Sequence, residues 1–150
     1  MSLVDVTAAT APSPHALRLG YAGLLPFVAG AALIWIVRAD AHPYVAAALS
    51  AYAAVILSFL GGIHWGFGMR SAAAAAPSLF TWGVVPSLIA WVAVVMPPYA
   101  GLVVQGVGLV ACFAVDRRVY PQHGAAAWLT LRFRLTGVAS LSCFVGAAGS

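Results

Sequence analysis

From Pro43 to Met69 the chain reads PYVAAALSAYAAVILSFLGGIHWGFGM, 27 residues without a formal charge. A spanning α-helix needs about 20 mostly apolar residues, so this stretch can cross a bilayer and still tilt or project beyond it. Lipid offers the backbone no hydrogen-bond partner, which leaves helices and closed barrels as spanning elements. Barrel strands alternate polar and apolar residues, and this run does not. The stretch therefore predicts a transmembrane helix, and the rest of the chain is built from the same material. Of 150 residues, 63% are hydrophobic and 7% charged, where a soluble domain carries about 25% charged residues. So few charges cannot make a water-soluble surface, and the apolar surface must face lipid.

Four further segments extend the reading. The first runs over 18–37 and contains Pro26. The third covers 77–95, with Pro86 near its middle. The fourth covers 99–115, opened by Pro97-Pro98 and closed by Asp116-Arg117-Arg118, with a polar loop after it. The fifth covers 125–148 and carries Arg132 and Arg134 in its first turns, so these arginines must snorkel toward an interface. The expected fold is an all-α membrane protein, a bundle of five transmembrane helices in one domain over 17–150. Residues 1–16, rich in Ala, Thr, Pro and Ser, read as a disordered tail. They lack the basic region and apolar core of a signal peptide.

Five passes place the termini on opposite sides. One side collects Arg18, Arg70, Arg117, Arg118, Arg132 and Arg134, and the other only Arg38. Arginine excess marks the cytoplasmic side, so the N-terminus is expected inside and the C-terminus outside. The sequence pI of about 9.6 then reflects topology and contact with anionic lipid headgroups rather than nucleic-acid binding, with Arg70, Arg117 and Arg118 as headgroup candidates. No metal-spaced cluster, phosphate loop or acidic pair stands out. Cys112 and Cys143 fall in separate apolar segments and read as small buried residues. Pro26 and Pro86 read as tolerated kinks. Trp65, Trp82 and Trp128 fall toward the inner interface and Trp35 and Tyr99 toward the outer one.

Within the second helix, Ser50, Ala54, Ser58, Gly62 and Gly66 recur every fourth residue. Small residues let helix backbones approach and pack by dispersion, so this ridge predicts a helix-packing face and a central place in the bundle. Gln105, on a small-residue face with Gly101, Gly108 and Cys112, should turn toward protein, because its amide needs partners away from water. His64 is the one histidine inside an apolar run, and an ionisable group at membrane depth is a functional candidate by default. Five residues from Met69 place it about 7.5 Å along the helix axis from that end, level with Arg132 and Arg134. Residues two apart point about 200° apart, so one of those arginines faces inward and the other reaches headgroups.

Three readings of His64 follow: interhelical glue, a polar site for an amphiphile such as a lipid or quinone, or an axial ligand to haem or a pigment. The ligand-binding candidates are His64, Trp65, Ser58, Arg132 and Arg134. No catalytic residues are expected. Ser58 and His64 lie about 120° apart around the helix, too far round for a nucleophile and its base.

Three landmarks carry a family resemblance: LGYAGLLPF over 19–27, YAAVILSFLGGIHWG over 52–66 and LRFRLT over 131–136. Together they resemble an uncharacterised family of small multi-pass membrane proteins of proteobacteria and mitochondria. The resemblance implies a class and a compartment but no reaction. Absent Lys and Glu and abundant Ala fit a bacterial member, in the inner (cytoplasmic) membrane. The expected role is non-enzymatic: an accessory or assembly subunit that packs against other membrane proteins or itself, with no cofactor. The alternative is a binding protein for a lipid-like molecule, quinone, pigment or haem at the His64 region.

Overall fold

A computed structural model describes residues 11–71 and 76–150; most of the predicted tail, residues 1–10, lies outside the described residues. Helices account for nearly everything described: α1 (Pro14–Ala22), α2 (Leu25–Ile36), α3 (His42–Arg70), α4 (Pro77–Val95), α5 (Pro98–Gln122) and α6 (Leu129–Gly149), with a 3₁₀ turn at Ala126–Trp128. The prolines explain where most of them start. Each of α1 to α5 carries a proline in its first two positions, where the missing N–H has no intrahelical partner to lose. Ser13 caps α1 by accepting a hydrogen bond from the Ala16 N–H at 3.1 Å, the usual service of an N-cap serine.

Among the described residues, four helical stretches are long and apolar enough to cross a membrane: Pro14–Ile36, which joins α1 and α2, then His42–Arg70, Pro77–Val95 and Pro98–Gln122. The fifth expected span, α6, is not among them. It is 21 residues long, about 31 Å at 1.5 Å per residue, but its polar load is heavy. Arg132, Thr136, Ser140 and Ser142 are all buried against neighbouring helices. Elsewhere the outer surface is apolar, with Ile36, Tyr44, Val55, Phe59, Trp91 and Val95 well exposed.

The second span, α3, touches α2, α4, α5 and α6 and is the hub of the bundle. Its packed face is not the predicted ridge. The buried residues are Ala46, Leu49, Ser50, Ala53, Leu57, Leu60, Gly61, His64, Phe67 and Gly68. Ala54 and Ser58 are half-buried, and Gly62 and Gly66 are exposed, with open space where a Cβ would stand. A strict four-residue step advances about 40° beyond each full turn, so Gly66 lies about 160° around the helix from Ser50. A contact face must mix steps of three and four. The close approach falls instead at Gly61, where a Cβ would overlap the Gly83 carbonyl of α4 beside the Pro86 ring. Pro86 sits buried inside α4, at this crossing. Pro26, by contrast, starts α2 after a break at Gly23–Leu24.

At the core, Gln105 is fully buried and its amide nitrogen donates to the Ser50 carbonyl at 2.9 Å and the Ser50 hydroxyl at 3.2 Å. The expected end of the fourth span at Val115 is corrected. The helix continues through Asp116-Arg117-Arg118 to Gln122, because Asp116 is buried and compensated rather than solvated. It stops in a Schellman motif: Gly124 adopts φ 71°, the Ala125 N–H donates to the Tyr120 carbonyl at 2.8 Å, and the Gly124 N–H to that of Pro121 at 3.3 Å. At the opposite end of the bundle the Trp35 indole N–H donates to the Val145 carbonyl and His42 bonds that of Gly149, tying α6 to the end of α2 and the start of α3. Cys112 and Cys143 are buried free thiols.

Candidate functional site

Three helices contribute one polar side chain each to a buried cluster. Asp116 of α5 stands between His64 of α3 and Arg132 of α6. His64 Nε2 lies 2.8 Å from Asp116 Oδ1. Arg132 donates from Nε at 2.9 Å and from Nη2 at 2.6 Å, both to Asp116 Oδ2. An ionised carboxylate only accepts, so Nε2 is the donor of the His64 pair. His64 and Asp116 are each 1% exposed and Arg132 7%. A charge so placed is tolerated only when it is paired and hydrogen-bonded, and here guanidinium and carboxylate cancel. Among the described residues His64 Nδ1 has no partner.

Beside this cluster lies a cavity of about 1040 Å³, walled by α1, the start of α2, α3, α5 and α6. Most of its wall is apolar: Leu19, Phe27, Ile56, Leu60, Ile63 and Leu135 are typical. Its polar members gather toward the arginine-rich end, with Arg70, Tyr120, His123 and Arg132 there and Thr136 one turn deeper on α6. Aromatic packing supports that end, Phe67 against Tyr120 edge-on at 5.3 Å and against His123 stacked at 4.9 Å. The wall on the α1 side is slight. α1 has no buried residue, touches α6 alone to any extent, and meets α2 at the Gly23–Leu24 break. The Tyr52 hydroxyl donates to the Gly23 carbonyl at 2.8 Å, and Arg134 donates to the Tyr21 hydroxyl at 3.1 Å.

The sequence-nominated residues separate into groups. His64 and Arg132 meet through Asp116, and Arg132 also reaches the cavity. Arg134, about 200° round the helix from Arg132, is exposed and hydrogen-bonded to α1. Trp65 turns away from His64: its indole donates to the Phe80 carbonyl at 3.0 Å across the α3–α4 seam. Ser58 lies on a shallow groove with Ala54, Ser87 and Trp91, away from His64. Arg70 borders the cavity, while Arg117 and Arg118 are exposed. His64 itself is not on the cavity wall; it acts behind Asp116.

Asp116 is the residue that sequence reasoning passed over, having taken it as the end of a helix. The signal was present. Gly101, Gln105, Gly108 and Cys112 already marked a buried face, and four residues beyond Cys112 is Asp116.

An apolar helical bundle with four stretches, among the described residues, long and apolar enough to cross a bilayer defines a multi-pass membrane protein. A family model described as a protein of unknown function (DUF3429) matches residues 12–148, and the chain belongs to that family. It is 41% identical over 139 residues to transmembrane protein 69 of Xenopus tropicalis, an alignment covering 88% of this chain and 53% of the frog protein. With transmembrane protein 69 of Mus musculus it shares 36% identity over 85 residues, 55% of this chain and 34% of the mouse protein. The chain thus spans about half the length of the frog relative and about a third of the mouse one. No solved structure matches it.

Proposed function

We propose that this protein binds a lipid-like amphiphile in the cavity between α1 and α3. The observation that carries the reading is the cavity itself: about 1040 Å³, apolar along its length, with its polar groups gathered toward one end. That is the top of the size range of small-molecule sites, which are mostly apolar with a few placed polar groups. The Asp116-centred cluster holds α3, α5 and α6 in register behind the polar end and fixes the Arg132 guanidinium. The weakly packed α1 is the side through which a hydrophobic molecule reaches the cavity from the bilayer.

Ala16 tests this, because it lines the cavity from a helix with no buried residue. Ala16→Trp should leave the fold intact and fill part of the space. Wild-type protein purified in mild detergent should yield one extractable amphiphile per chain, and the variant several-fold less. Equal yields from both would sink the reading.

The arginine-rich end is assigned to the cytoplasm, or to the matrix of an organelle, by the positive-inside bias; for a bacterial member the membrane is the inner one. With α6 as a fifth crossing, a C-terminal reporter active only in the cytoplasm should stay silent, and an active one would refute the assignment. A second reading, an accessory or assembly subunit of a larger membrane complex, draws on the exposed Gly62 and Gly66, which leave the α3 backbone open to close approach. A partner retained through purification would favour it.

A further inference from the structure

We infer that the occupant of the cavity is an anionic, ester-linked glycerophospholipid, one per chain; this rests on the amphiphile reading above. The polar groups of the cavity are ordered by charge. Arg132 already spends Nε and Nη2 on Asp116, so the deeper cation is compensated, and a second full negative charge there would sit against the Asp116 carboxylate. Arg70 is different. It is exposed at the end of α3, it borders the cavity, and among the described residues it forms no ion pair. An anionic group is therefore favoured outside, at Arg70, and uncharged acceptors inside.

A matching donor stands just behind the inner wall. Among the described residues the Thr136 hydroxyl is buried without a partner, and Thr136 borders the cavity four residues beyond Arg132. Threonine has two χ1 wells open to it on a helix, so its hydroxyl and methyl can exchange places at the wall. From rim to depth the order is free cation, compensated guanidinium, hydroxyl, then apolar wall. A glycerophospholipid presents the complementary order: phosphate, ester carbonyls, then two chains. A fatty acid has no second acceptor below its anion. A quinone has no anion for Arg70.

The test is native mass spectrometry of the delipidated full chain, titrated separately with four probes: diester phosphatidylglycerol, its dialkyl-ether counterpart, diester phosphatidylcholine and decylubiquinone. The diester phosphatidylglycerol should bind one per chain, about fivefold more tightly than the ether lipid, which lacks the carbonyls. It should also bind about fivefold more tightly than the zwitterionic lipid. Thr136→Val should erase the ester–ether difference and Arg70→Gln the headgroup difference, each leaving the other intact. Glycerol phosphate, a headgroup without chains, should not compete; competition would overturn the claim in favour of a free-phosphate site. Equal binding of ester and ether lipids would also overturn it. Decylubiquinone binding without any phospholipid would overturn the lipid class while sparing the amphiphile reading. Failure of every probe would end both.

Discussion

Asp116→Ala is expected to destabilise the protein by about 3–5 kcal/mol, the cost of stranding one partner of a buried ion pair. The Arg132 side chain is 8% exposed and both its short hydrogen bonds end on the removed carboxylate. His64 loses its Nε2 acceptor in the same step, leaving two unpartnered ring nitrogens in a 1% exposed site. The charge, rather than the carboxylate as such, sets the loss. Removing all three polar groups together, as His64→Phe with Asp116→Leu and Arg132→Met, should return most of the stability, because apolar replacement of a whole buried ionic cluster is often neutral or better. Unfolding in mixed micelles, followed by tryptophan fluorescence, gives the comparison. A single variant within about 0.5 kcal/mol of wild type, the range of surface substitutions, would mean that water reaches the cluster.

Gly61→Leu should cost about 3 kcal/mol, the upper end of overpacking. The obstruction is the backbone carbonyl of Gly83, which cannot rotate aside, so α3 and α4 must separate along their shared seam. Gly62→Leu is the internal control. It lies one residue away on the same helix, with nothing within 4 Å of its added Cβ, and should fall within about 0.5 kcal/mol of wild type. Equal losses at the two glycines would contradict the α3–α4 crossing.

These two sites mark how far the sequence could be read. Long charge-free runs announce membrane helices because lipid admits little else, and proline placement announces their starts. His64 stood out for the same reason, as a polar group where water is absent. Asp116 did not, because an acidic residue followed by two arginines reads as a helix end when its partners are distant in sequence. Its pairing with Arg132 and His64 depends on three helices meeting, and no local pattern encodes that. The ridge from Ser50 to Gly66 failed differently: a constant step of four drifts around the helix, and only the partners' positions show which residues it leaves behind. The cavity is the least legible feature. It exists because α1 packs lightly and breaks from α2, a property of what is not in contact.

The most direct measurement of the central claim is a density map of the full chain in lipid nanodiscs, read between α1 and α3. The amphiphile-binding account predicts elongated non-protein density along Leu19, Ile56 and Leu135, with its broad end toward Arg132 and Arg70. A cavity closed by α1 collapsing onto α3, or one open and featureless, would contradict it.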